Sequence, residues 1–139
     1  MAMQLDCYLS FAGNCEEALN FYAQCLGGKV NAIMRFADAP KDSGMEVPSD
    51  WKNKVMHGTV EAEGAQIMGS DGFPGMPHGG YAGFSVSVWI KDGADRARKV
   101  FDALAAGGKV TMPFAPPFWG GHFGMLIDQF GVPWMVSTE

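Results

Sequence analysis

The sequence predicts an α+β fold built from two βαβββ modules, and three observations carry that prediction. Two segments with helical apolar periodicity both end in Gly-Gly-Lys-Val, 80 residues apart. One strand-like run precedes each helix and three follow it. A second internal similarity, Glu61–Ser70 against Asp128–Ser137, is offset by 67 residues. Two such echoes in the same order indicate an internal repeat. The unequal offsets place a longer connection, Ala37–Asn53, in the first module.

The first run, Leu5–Phe11, is followed by a helix over Asn14–Leu26. Ala18, Phe21, Tyr22, Cys25 and Leu26 supply its apolar face, Asn14 with Glu17 reads as a capping box, and Gly27-Gly28 stops it. Strands are expected at Lys29–Phe36, Lys54–Ala62 and Ala65–Ser70, the last two joined through Gly64. In the second module a strand at Phe84–Ile90 precedes a helix over Asp92–Ala106, with Ala97, Val100, Phe101, Leu104 and Ala105 on its apolar face. Strands follow at Lys109–Phe114, His122–Asp128 and Val132–Thr138, with Gly131 in the last turn. One domain is expected over 1–139, with modules at about 3–70 and 84–138 and a Gly/Pro-rich linker at 71–83.

Composition narrows the function classes. A formal charge of −5 with scattered lysines leaves no basic stripe for nucleic acid. No run approaches the ~18 apolar residues of a membrane span. Cys7, Cys15 and Cys25 form no CxxC and cannot all pair, and the N-terminal segment lacks a basic stretch before an apolar one. Reduced thiols and a cytoplasmic location are therefore expected.

The carrying segments resemble the vicinal oxygen chelate superfamily of glyoxalases, extradiol dioxygenases and bleomycin resistance proteins, and within it the PhnB-like group. They are Tyr8–Tyr22, Met34–Asp38 and Lys54–His57 in the first module. In the second they are Gly107–Pro113, Phe118–Met125 and Asp128–Trp134. The resemblance implies a curved sheet from each module, outer helices, a concave pocket for a small molecule, and a homodimer. It names no reaction, because one fold hosts many.

The superfamily's metal positions, carried onto this chain, fall on Cys7, Met68 or Gly69, Phe84 and Val136. A hard or borderline cation wants carboxylate and imidazole ligands, so no metal and no cofactor are expected. Period-two alternation puts His57, Thr59 and Glu61 on one strand face, where His57 and Glu61 could meet Cys7 or His122; a hydrogen-bonded structural histidine is the competing reading. Trp51, Trp119, Phe123 and Trp134, with Met68 and Met125, could line an apolar pocket or pack a core. Arg35 could face an anionic ligand or pair with Asp38. Gly72–Gly80 matches neither a phosphate loop nor a dinucleotide fingerprint. The leading functional expectation is a PhnB-like protein binding a small molecule without metal. The pocket candidates are Cys7, Trp51, His57, Glu61, Met68, Phe84, Trp119, Phe123, Met125 and Trp134. The alternatives are a lyase or dioxygenase-type enzyme with a non-standard site near His57 and Glu61, and a protein that sequesters a drug.

Overall fold

The structure, a computed structural model, describes residues 2–40, 44 and 46–139. The expected long connection after the second strand therefore falls partly, at 41–43 and 45, outside the described residues. The chain divides into two compact units, Met1–Gly79 and Gly80–Glu139, with the division inside the expected linker.

The first unit contains β1 (Cys7–Ser10), α1 (Cys15–Leu26), β2 (Lys29–Arg35), β3 (Val55–Ala62) and β4 (Ala65–Ser70), with single 3-10 turns at Phe36–Asp38 and Ser49–Trp51. Its four strands stand in the order β1-β4-β3-β2, with β1 parallel to β4 and the other pairs antiparallel. The second unit repeats this with β5 (Val86–Ile90), α2 (Ala94–Ala105), β6 (Lys109–Ala115), β7 (His122–Ile127) and β8 (Pro133–Thr138), ordered β5-β8-β7-β6. The two βαβββ modules are thus present, and β2 and β6 keep the 80-residue offset at both ends. Under the 67-residue offset Ile67 aligns with Trp134, and both are buried.

Each helix covers one face of its own sheet, and glycine in the central strand sets how closely it sits. A Cβ at Gly58 of β3 would lie 2.5 Å from Leu19 Cδ1 of α1, and one at Gly124 of β7 would lie 2.6 Å from Phe101 Cε1 of α2. The units share a second close approach. A Cβ at Gly28 would run into the Glu61 carbonyl oxygen, and one at Gly108 into that of Ile127. The Gly-Gly pair after each helix therefore both ends the helix and lets the chain pass a neighbouring strand. Gly27 performs the first task in the left-handed conformation, with φ 70°.

Two local expectations are corrected. The buried stripe of α1 is Cys15, Ala18, Leu19, Tyr22 and Ala23, rotated from the expected face so that Phe21, Cys25 and Leu26 lie at its margin. Asn14 makes no side-chain cap. The buried carboxylate of Asp71 replaces it from 56 residues away. Asp71 Oδ1 accepts from the Cys15 amide at 2.9 Å and Oδ2 from the Val55 amide at 2.8 Å. Its own amide donates to the Val55 carbonyl at 2.8 Å. A negative group at the positive end of a helix is favourable there. Asp71 thereby ties the end of β4 to the starts of α1 and β3. In the second unit Asp128 works within its own turn, accepting from the Phe130 and Val132 amides and from Trp134 Nε1 at 2.9 Å.

The two central glycines differ in what an added methyl would displace. At Gly58 the obstacle is the end of a leucine side chain; at Gly124 it is the Phe101 ring and, at 2.9 Å, the backbone Cα of Phe114. Gly124→Ala is expected to destabilise by about 1–3 kcal/mol and Gly58→Ala by less, measured as chemical denaturation midpoints. Equal costs would contradict this packing account.

Candidate functional site

Strand phase decides which side chains leave the helix-covered face. In the first sheet Gly58 and Gly69 are directly paired, and a Cβ at Gly69 would lie 3.3 Å from Cys15 Sγ, so both point towards α1. Their strand neighbours Thr59 and Met68, also paired, point away. His57 and Glu61 share the phase of Thr59, as the alternation predicts. In β1 the parallel register pairs Tyr8 with Met68 and Cys7 with Ile67. Tyr8 therefore stands on the face away from α1, whereas Cys7 joins Leu9 on the helix side. Burial raises the Cys7 thiol above its ordinary pKa, which keeps it protonated.

That face carries side chains from all four strands. Tyr8 reaches across β4, and its hydroxyl lies 3.2 Å from His57 Nδ1. The two rings tilt together with centroids 5.5 Å apart. The Thr59 hydroxyl lies 3.4 Å from His57 Nε2. Both ring nitrogens thus have a hydroxyl partner, and the direction of each bond follows the imidazole tautomer. Farther along β3, Glu61 Oε2 accepts from Asn31 Nδ2 at 2.6 Å. Met34, directly opposite His57 on β2, is 47% exposed, and Tyr8 is 48% exposed. The result is a short polar line between two thioethers, Met34 and Met68, with a phenol over one end.

The same phase argument applied to the second sheet puts Phe123, Met125, Met135 and Ser137 on the face away from α2, with Met112 opposite Met125. Trp89 on β5 is 56% exposed. Beside the strands, Phe118, Trp119 and Phe123 form a ladder of edge-on rings with centroid spacings of 4.9 and 5.7 Å. This face is apolar and thioether-rich where the first sheet's is polar.

The remaining candidates are dispersed. Trp134 is fully buried on the α2 side, where its indole bonds Asp128. Trp51 packs edge-on against the buried Phe36 at 5.4 Å. Phe84 precedes β5 and is 45% exposed. His122 stacks on Phe114 at 5.6 Å. Arg35 grips Glu16 through two 3.0 Å bonds and donates to the Asn53 carbonyl, and its own amide donates to Asp38. It is engaged within the first unit. Within the first unit an open acidic cleft of about 440 Å3 is lined by Glu16, Glu17, Asp50, Lys54 and Asp71.

Sequence reasoning missed Tyr8, although the signal was there. Cys7, Leu9 and Phe11 alternate with Tyr8 and Ser10, and a one-residue change of phase exchanges the two faces. That change also decides the fit of a metal. Gly69 and Val136 face the helices, and the groups around the single imidazole on the outer face of the first sheet are a phenol, a hydroxyl and two thioethers, while the one carboxylate, Glu61, is bonded to Asn31 farther along β3. This donor set does not fit a hard divalent ion. Among the described residues no group of three or more His, Cys, Asp or Glu is placed so that it could hold a metal ion.

Residues 4–137 match the protein family described as 3-demethylubiquinone-9 3-methyltransferase. Protein YjdN of Escherichia coli is 36% identical over 145 residues, covering 98% of this chain and 95% of its own. The crystal structure of PA1353 from Pseudomonas aeruginosa is 43% identical, with a TM-score of 0.88 over 99% of this chain and 98% of that one. A Bacillus cereus structure titled as a putative 3-demethylubiquinone-9 3-methyltransferase, PhnB protein, is 25% identical at TM-score 0.77, covering 99% and 100%. The fold is shared with a glyoxalase/bleomycin resistance protein/dioxygenase superfamily member from Sphaerobacter thermophilus, at 22% identity and TM-score 0.57 over the whole of both chains.

Cys15 supplies a pH test of the core beneath the site. Burial first, then the nearby carboxylates of Asp71 and Glu16, push its thiol from an ordinary 9.0 up to about 12. Because the folded state resists losing this proton, the stabilisation is complete below pH 9 and is lost as pH rises towards 12. Cys15→Ala is expected to flatten that part of the stability curve relative to the parent, read by denaturant titration across the window. Identical slopes would contradict the buried-thiol assignment.

Proposed function

The chain belongs to the PhnB-like family described as 3-demethylubiquinone-9 3-methyltransferase, and from that footing we propose that it binds a small organic molecule, without metal, on the face of the first sheet away from α1. The observation that carries this reading is the Tyr8–His57–Thr59 line, a set of hydrogen-bonding groups held between half-exposed or partly exposed thioethers. Ligand sites combine an apolar lining with a few convergent polar groups, and this face has that make-up. Nothing in the reading requires methyl transfer, the reaction the family's description names.

Acid–base catalysis is a second reading, favoured by the same imidazole. A histidine oriented by a hydroxyl on one nitrogen can move a proton at the other. Glu61, bonded to Asn31 instead of His57, takes no part in that line. The two readings part on turnover: binding alone leaves the ligand unchanged. A cytoplasmic location accords with both, and among the described residues no helix is long and apolar enough to cross a membrane.

Methionine methyl resonances report on the site directly, since Met34 and Met68 flank it whereas Met112, Met125 and Met135 belong to the second sheet. In a screen of small acids, bases and aromatic compounds, a true ligand is expected to shift Met34 and Met68. At about 100 times its dissociation constant it should add about 2.7 kcal/mol to stability. His57→Ala is expected to abolish both effects. A ligand that binds with the Met34 and Met68 signals unmoved would overturn the assignment of the face.

We further propose a homodimer, supported by the large apolar side chains that the second unit exposes: Trp89, Met112, Phe118 at 98% and Trp119 at 61%. Light scattering is expected to give twice the chain mass, and Trp89→Glu to lower it towards one. A parent protein of single-chain mass at all concentrations would remove this proposal.

A further inference from the structure

We infer that the ligand of this face carries an oxyanion joined to an apolar body, and that the Tyr8–His57–Thr59 line recognises the oxyanion together with one proton. The inference rests on the reading of the face as a ligand site. It follows from counting donors. With a neutral imidazole, one ring nitrogen is an acceptor, so one of the two hydroxyls beside it can turn its hydrogen inward. When the imidazole takes a second proton, both nitrogens donate, and the Tyr8 and Thr59 oxygens become their acceptors. Both hydroxyl hydrogens must then point outward. The charged state therefore displays a delocalised positive charge and two outward O–H donors at the same time. A carboxylate, enolate or phenolate oxygen is the complement of that arrangement, and hydrogen bonds to a charged partner are the strong ones.

The surroundings sharpen the chemical class. Tyr8 is the titratable side chain that β1 brings to His57; Met68 from β4 and Met34 from β2 are neutral. Glu61 lies four residues along β3, about 13 Å at strand spacing, and is engaged by Asn31 with Lys29 opposite on β2. The charge of Glu61 is thus answered by Lys29 and Asn31 at its own end, and the charged imidazole is the unanswered cation on the stretch between Met34 and Met68. Met34 and Met68 offer polarizable walls for an aromatic or aliphatic body beside the oxyanion. Because the doubly protonated imidazole is the form that turns both hydroxyl donors outward, oxyanion binding here is coupled to the uptake of one proton.

Benzoate, benzamide and benzylammonium share one ring and differ in charge and donor pattern, which makes them suitable probes. Titrations of the full chain at about pH 5.5 and about pH 8 are read through the His57, Tyr8, Met34 and Met68 resonances. Benzoate is expected to move all four, to bind about tenfold more weakly at the higher pH, and to exceed benzamide by about tenfold at the lower. Tyr8→Phe is expected to weaken benzoate about fivefold while the second-sheet methionine signals and the thermal midpoint stay unchanged. Equal binding of benzamide, preference for benzylammonium, or pH-independent benzoate binding would each overturn the oxyanion while leaving the face as a ligand site. If none of the three probes moves the four signals, the oxyanion inference also falls, and a ligand from the wider screen that spares Met34 and Met68 would remove the parent reading as well.

Discussion

A four-stranded sheet with a single helix of its own can have only one face covered by that helix, and the rest of this structure is organised around that constraint. In each unit the helix is seated on a glycine of the second strand from the edge, Gly58 under Leu19 and Gly124 under Phe101. The covered faces carry the buried Val60, Ile67, Leu126, Trp134 and Val136. What remains for chemistry is the other face, and the two units fill it differently. The first presents a phenol, an imidazole, a hydroxyl and a carboxylate–carboxamide pair; the second presents thioethers and aromatic rings.

The same backbone topology thus supports two surface chemistries, because side-chain alternation separates the residues that hold the fold from those that face outward. Asp71 sharpens this separation in the first unit. By accepting from both Cys15 and Val55 it fixes where α1 begins relative to the entry into β3, two residues before His57. The register of His57 opposite Met34, and through β4 its reach to Tyr8, depends on that entry.

Much of this was legible in the chain. The two helices, the hairpins and the duplication followed from periodicity and from the repeated Gly-Gly-Lys-Val, since local spacing reports local structure. The shared face of His57, Thr59 and Glu61 also followed from alternation. What escaped depended on distance along the chain or on phase. No local signal links Asp71 to a helix starting 56 residues earlier, so the nearer Asn14 took its place in the reading. Cys7 reads as a pocket candidate, yet Leu9 and Phe11 in step with it mark the buried phase and leave Tyr8 outward. Trp134 reads as pocket or core, with core favoured by the burial habits of aromatics, and the indole bonded to Asp128 inside the unit decides for core.

The central claim is that Tyr8, His57 and Thr59 form one connected line on the face that α1 leaves uncovered. Nitrogen-15 NMR of the His57 imidazole tests it most directly, because each ring nitrogen reports its own hydrogen-bond partner. In Tyr8→Phe the Nδ1 resonance is expected to move while the amide spectrum of the sheet is preserved, and in Thr59→Val the Nε2 resonance is expected to respond instead. An imidazole spectrum indifferent to both substitutions in a folded protein would contradict the account.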